Sequence, residues 1–258
     1  MLVITSVYND SYNNVLDFVI KHDFELIVYI KKDNLKLGEE IVSKITDKLT
    51  IIEIPNYGRC DYAFLYYIIT FYDKLPLRIL FTKANFMDQN IELDYALVDR
   101  SFMLIGKHLK IGILDKNFNT ENLDIDKDDI ECLYLQKNNY TDDKFQSYLT
   151  NDFYNMVYDN KPFSDDYVIN FGHGPCFCVS RDYILAHQLS VYVRLIDSFY
   201  PNKNHWSTWY GHTDEETYMH VGMRYHDNLQ RFWILLFVQN YSNNNIETDF
   251  MNVIQTKT

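Results

Sequence analysis

The chain is short of glycine, proline, cysteine and arginine. Its 258 residues include 8 Gly, 5 Pro and 4 Cys. With 47% apolar residues, so little Gly and Pro excludes a disordered chain and implies a large buried core. The cysteines, Cys60, Cys132, Cys176 and Cys178, form no Cys-x-x-Cys pair, which argues against a zinc ribbon. They read as four reduced thiols in a cytosol-like compartment. Positive charge is scarce too: 24 Lys and Arg against 36 Asp and Glu leave a net charge of −12. Such a chain lacks the basic footprint of a nucleic-acid binder and the cationic surface that docks on anionic lipid. The longest apolar run, Tyr62 to Tyr72, includes Thr70 and falls well short of the roughly 20 residues of a membrane span. The first residues, Met1 to Tyr8, carry no basic region and meet Asn9 and Asp10 at once, so no signal peptide is expected and a cytoplasmic protein is. Seven arginines stand in the whole chain, with Lys, Asn, Ile and Tyr in their place. That usage points to an AT-rich or viral genome, and it draws attention to each Arg in a loop.

What the chain has in excess is aromatic: 22 Tyr, 17 Phe and 3 Trp. These are threaded through alternating strand-like and helix-like segments. Leu2 to Val7 is a β-branched apolar run, and Val15, Leu16, Phe18 and Val19 recur at helical spacing up to His22. Glu25 to Ile30 reads as a second strand and Glu39 to Leu49 as a second helix. Ile51 to Ile54 reads as a third strand ended by Pro55. Asp61 to Tyr72 is apolar nearly all round, which predicts a buried helix. Pro76 ends it, and Leu77 to Phe81 makes a fourth strand. Three β-α-β units in a row predict an α/β fold with a mostly parallel sheet flanked by helices and right-handed crossovers. In such sheets ligands bind beyond the carboxyl ends of the strands.

Further along, Phe102 to Ile105 and Leu109 to Leu114 are expected to pair as antiparallel strands. Asp115 to Glu131 reads as an acidic, exposed excursion, and Thr141 to Tyr158 as a helix. Tyr167 to Phe171 and Cys176 to Val179 read as strands around a Gly-His-Gly-Pro turn. Asp182 to Phe199 reads as one helix, and Thr213 opens another that extends through Phe232 to Val238. No internal repeat is visible.

Five places could carry chemistry. Val7, Tyr8, Asn9 and Asp10 leave the first strand, where a nucleotide base could rest. The ordinary alternative is a turn in which Asp10 or Ser11 caps the next helix. Asn56, Gly58, Arg59 and Asp61 lie between the third strand and the buried helix. A helix start attracts phosphate through its free N–H groups and dipole. Gly58 allows close approach, and Arg59 offers a planar donor fork suited to diphosphate. The alternative is a tight turn with Asp61 as N-cap and Arg59 in a surface pair. Beyond the fourth strand Lys83 is a further nucleotide contact, and Asp88 is a lone candidate metal ligand, since no Asp-x-Asp stands there. His173, between two glycines, either faces a ligand or decorates a turn. Thr213 and Glu216 form a capping box, with Asp214 and Glu215 favoured by the helix dipole. One of those acids, Glu215 or Asp214, could instead be the base that takes a proton from an attacking hydroxyl. His212, Glu216 and His220 are spaced to align on a helix as a zinc or iron ligand set.

At these segments the chain resembles an uncharacterised glycosyltransferase-like family of fungi, bacteria and large viruses. The family motif N-x-G-R-E-x-x-x-Y-L-x-x-I stands here as Asn56-Tyr57-Gly58-Arg59-Cys60-Asp61-Tyr62-Ala63-Phe64-Leu65-Tyr66-Tyr67-Ile68. The motif F-x-Q-G-x-P-x-D keeps Phe81 and Asp88, and G-x-x-F-x-V-S-R is present from Gly174 to Arg181. Cys60 replaces the family's acid, and the Gln-Gly of the second motif is lost. The resemblance implies a GT-A-like fold over residues 1–258, with a nucleotide-binding half (1–100) and an acceptor and catalytic half (101–258). It implies a glycosyltransferase that moves a sugar from a UDP- or GDP-sugar to a glycan or other hydroxyl acceptor. It admits Mn²⁺ or Mg²⁺ on the diphosphate. Arg59 would then hold the diphosphate, Glu215 or Asp214 would be the base, and His173 would touch sugar or acceptor. Two alternatives stand beside this one: a non-catalytic relative that binds nucleotide sugar or carbohydrate, and a metal-dependent hydrolase built on His212, Glu216 and His220.

Overall fold

A computed structural model describes residues 1–8, 12–31, 47–55, 59–84, 93–97, 102–105, 109–113, 130–131, 168–172, 176–197, 199, 233 and 236–237. Its centre is a six-stranded sheet. The strands are β1 (Leu2–Val7), β2 (Glu25–Lys31), β3 (Leu49–Ile54), β4 (Arg78–Lys83), β5 (Phe102–Leu104) and, late in the chain, β9 (Phe177–Ser180). They lie in the order β3-β2-β1-β4-β9-β5. The pairings β1·β2, β1·β4 and β2·β3 are parallel, and β9 runs antiparallel to both β4 and β5. The fold is therefore α/β, with a mostly parallel sheet, a small antiparallel part and flanking helices. A second, three-stranded sheet has the order β7-β6-β8, from β6 (Leu109–Ile113), β7 (Ile130–Glu131) and β8 (Val168–Gly172).

Helices cover both faces. Helix α1 (Asn13–His22) turns Val15, Leu16, Phe18 and Val19 inward, the stripe its sequence spacing predicts. It stops at Asp23, whose φ of 55° and ψ of 40° are left-handed. Asp23 and Phe24 then donate to the carbonyls of Ile20 and Val19 and satisfy the helix end. Helix α2 (Arg59–Thr70) covers the opposite face. Tyr62, Ala63, Phe64, Leu65, Tyr67 and Ile68 are all buried, because α2 is sandwiched between the sheet and helix α4 (Leu189–Asp197). That accounts for a helix apolar nearly all round. One core, under α1, holds Val3, Val7, Leu26, Val28, Ile30, Leu80, Cys176 and Cys178. The other, under α2 and α4, holds Ile4, Tyr29, Ile79, Phe81, Phe177, Tyr192, Trp233 and Phe237.

Several sequence boundaries move. Leu49 opens β3 rather than closing a helix; the rest of that expected helix lies outside the described residues. Helix α2 begins two residues earlier than its apolar run, at Arg59, so Asp61 lies in its first turn and is not the N-cap. Tyr12, not Asp10 or Ser11, is the N-cap of α1, and its side chain makes no capping bond. Strand β4 runs on to Lys83 because Thr82 and Lys83 continue the pairing with β1. Strands β5 and β6 do not pair: β5 joins β9 and β6 joins β8, in different sheets. Glu131 lies not in an excursion but in β7, beside Gly112 of β6. The helix expected from Asp182 is two, α3 (Arg181–Leu185) and α4, broken at Ala186 to Gln188. His187 in that break donates through Nε2 to the Leu236 carbonyl, and its own carbonyl accepts from Tyr72 Oη. A ring tied this way could not continue the helical stripe. The helix expected over Thr141 to Tyr158 lies outside the described residues. Trp233, Leu236 and Phe237 are helical, as the apolar segment there implies. Among the described residues no helix is long and apolar enough to cross a membrane.

Candidate functional site at the carboxyl end of the sheet

Strand order fixes where a site can form. From β1 the chain winds outward through β2 to β3, then crosses back over α2 to β4 on the other side of β1. The carboxyl ends of β1 and β4 therefore diverge at a topological switch point, where α/β sheets open a crevice. On the α2 face the last residues of the strands there are Ser6, Lys31, Ile54 and Lys83. The period of two sets this: Lys31 follows the α2-face residue Tyr29, and Lys83 follows Phe81. Ser6 lies between them, opposite Tyr29 on one side and Lys83 on the other.

Lys31 is 1% exposed. Its Nζ lies over the Tyr62 ring, 5.4 Å from the centroid, where the ring's negative face attracts a cation. Burial lowers its pKa to about 8, against the pull of Cys60 and Asp61, which favour the charged form. Asp61 is fully buried, and its Oδ1 accepts a hydrogen bond of 2.5 Å from Trp233 Nε1. That bond ties the first turn of α2 to the helical residue Trp233. Cys60, also buried, has its thiol pKa pushed up by burial first and by Asp61 second, while Lys83 and Lys31 pull it down. Both lysines thus act on one thiol at the start of α2. Cys176 lies on the other side of β4. Its Sγ is 3.3 Å from Thr82 Oγ1 and accepts from the Lys83 amide at 3.5 Å. Cys60, Cys176 and Cys178 are free, buried thiols, and Cys176 and Cys178 share the α1 face as their alternation predicts.

The residues expected at the site divide as follows. Val7 ends β1 but is fully buried in the α1-side core. Tyr8, next along, is 47% exposed and presents a ring at the switch point. Arg59 is the first residue of α2. Asp61 and Lys83 lie as described. Asn9, Asp10, Asn56, Gly58, Asp88, His173, Asp214 and Glu215 lie outside the described residues, as do His212, Glu216 and His220. Sequence reasoning missed Lys31, Ser6 and Trp233. Lys31 was legible: it extends the Glu25–Ile30 run by one residue, in phase with Tyr29. Among the described residues no three His, Cys, Asp or Glu side chains gather into a metal-binding group. Among the described residues Asp61 is a carboxylate at this end of the sheet, with its Oδ1 bonded to Trp233. Two lysines and a helix start are groups that suit an anion.

These features define an α/β protein with an anion-suited end at the switch point of a mostly parallel sheet. The chain belongs to the family described as protein of unknown function (DUF3431), which matches residues 2–241. No curated protein and no solved structure matches it.

Proposed function

We propose that this protein is a glycosyltransferase that moves a sugar from a nucleotide-diphosphate sugar, UDP- or GDP-linked, to a hydroxyl acceptor on a glycan or similar molecule. The observation that carries the reading is the switch point between β1 and β4, with exposed Tyr8 on one side and Lys83 and the start of α2 on the other. On this reading exposed Tyr8 stacks on the base, and Arg59, opening α2, and Lys83, ending β4, hold the diphosphate. Negative charge grows on the departing diphosphate during transfer, so fixed cations and helix N–H groups there lower the barrier. Glu215, or Asp214 beside it, is the proposed base for the acceptor hydroxyl, and His173 the proposed sugar or acceptor contact. A GT-A-like arrangement is part of this proposal.

The test is a transfer and hydrolysis assay with UDP- and GDP-sugars, with and without Mn²⁺, paired with thermal shift, since a ligand of the native state raises Tm by mass action. Arg59→Ala is expected to abolish donor binding while stability changes by less than about 1 kcal/mol. Glu215→Gln is expected to bind donor and fail to turn it over. Donor affinity unchanged in Arg59→Ala, or no nucleotide sugar bound by the wild type, overturns the assignment.

A further inference from the structure

The helical residues Trp233, Leu236 and Phe237 are held on the α2 face in two ways. Their rings pack into the core. Trp233 and Phe237 stack at 5.8 Å, and Phe177 lies 4.9 Å from the first and 5.6 Å from the second. Two side chains from elsewhere then bond them. Asp61 of α2 accepts from the Trp233 indole, and His187 bonds the Leu236 carbonyl through Nε2. A carbonyl only accepts, so Nε2 carries the proton, and a second proton would go to Nδ1. His187 is 7% exposed. It stands in the break between α3 and α4, where its amide donates to the Ile184 carbonyl and its own carbonyl accepts from Tyr72 Oη. The Tyr192 ring meets the imidazole edge-on, 6.3 Å away. The backbone that carries the ring is thus fixed to α3 and to the turn Tyr72–Lys74, and the imidazole is the part that touches the Leu236 segment.

We propose that His187 is an acid-sensitive latch: when it takes a second proton, the segment of Trp233, Leu236 and Phe237 is released from the aromatic face. A charged imidazole in that place gives up its hydration, whereas in the released form the ring meets water. Burial accordingly lowers the His187 pKa from its ordinary 6.5, and the Leu236 bond acts the other way. With the closed-form pKa below the open-form one, the latch holds fully above pH 6.5 and weakens as the pH falls below it. Among the described residues, the titratable groups nearest the ring on its neighbouring elements are Tyr72 of the turn and Tyr192 of α4. Both have their pKa raised by burial and stay neutral in acid. Asp73 of the turn, Asp182 of α3 and Arg194 of α4 are exposed. Release would also part Trp233 from Asp61, in the first turn of α2. The proposal is independent of the transferase reading.

Hydrogen exchange with mass spectrometry on the full chain is the test. Peptides over residues 233–237 are compared with peptides over β1 and β4, as protection factors corrected for the intrinsic rate at each pH. Between about pH 7.5 and 5.5, protection of 233–237 is expected to fall beyond that of β1 and β4, by up to about tenfold per pH unit, the limit for one proton. His187→Gln keeps a side-chain N–H for the Leu236 carbonyl and takes no proton, so it is expected to abolish the extra fall. A merely structural His187 would lower protection in the variant and leave the pH dependence as it was. No extra fall in the wild type, or the same extra fall in His187→Gln, overturns the proposal. Should His187→Gln fail to fold, NMR titration of the wild-type imidazoles decides: a His187 midpoint below 6.5 that coincides with the lost protection upholds the latch, and one at or above 6.5 overturns it.

Discussion

The two faces of the central sheet are built from different chemistry. Under α1 the core is aliphatic and thiol-bearing: Val3, Val7, Val15, Leu26, Val28, Ile30, Leu80, Cys176 and Cys178. Under α2 it is aromatic. Phe177 packs on Trp233 with ring centroids 4.9 Å apart and on Phe81 at 5.0 Å, and Phe64 lies 5.0 Å from Phe81. The buried side chains of Lys31 and Asp61 are on the aromatic face. Aromatic rings suit that company because they fill volume while offering a cation a negative ring face and a carboxylate an indole N–H. The α1 face has only to pack. The α2 face must also hold charge at the sheet's carboxyl end, and its residues are chosen for both tasks.

Three substitutions would break or sharpen this contrast. The largest effect is expected of Asp61→Ala, which strands the Trp233 N–H and removes the carboxylate that favours charged Lys31. Breaking a buried pair from one side costs about 3–5 kcal/mol. A loss under about 1 kcal/mol in urea unfolding would make the two faces equivalent. Next comes pH. The pKa of Lys31 is lower folded, about 8, than its ordinary 10.5. The unfolded chain therefore binds more protons between those values, and the group makes stability rise with pH across that window. Comparing wild type with Lys31→Met should show a differential gain of roughly 3 kcal/mol from pH 8 to 10.5. A flat difference would mean that Lys31 is neutral throughout or solvated. The smallest effect is expected of Ile30→Val on the α1 face, about 0.5–1.5 kcal/mol, independent of pH.

Much of this fold was legible and less of the site. The β-α-β alternation placed β1, α1, β2, β3, α2 and β4 to within two or three residues, because each is a short periodic segment bounded by Asn, Asp or Pro. The partners of β5 and β6 were not legible. Strand pairing across 77 positions (179 − 102), as between Phe102 and Val179, leaves no local mark. At the site, the start of α2 could be foreseen from Gly58 and Arg59 after a strand. The role of Asp61 could not, since its bond to Trp233 joins residues 172 positions apart. The position of Lys31, one residue past the Glu25–Ile30 run and in phase with Tyr29, was legible, but its complete enclosure was not.

Strand β9 has a consequence for synthesis. It fills the place between β4 and β5, yet Phe177 follows Lys83 by 94 residues (177 − 83). A ribosome adds roughly 5–20 residues per second. The nascent chain therefore carries β1 to β4 for roughly 5–20 s with the edge of β4, Ile79 to Phe81, open to other strands. In these seconds the growing chain is most exposed to wrong pairing, and a chaperone that shields sheet edges would act on it then.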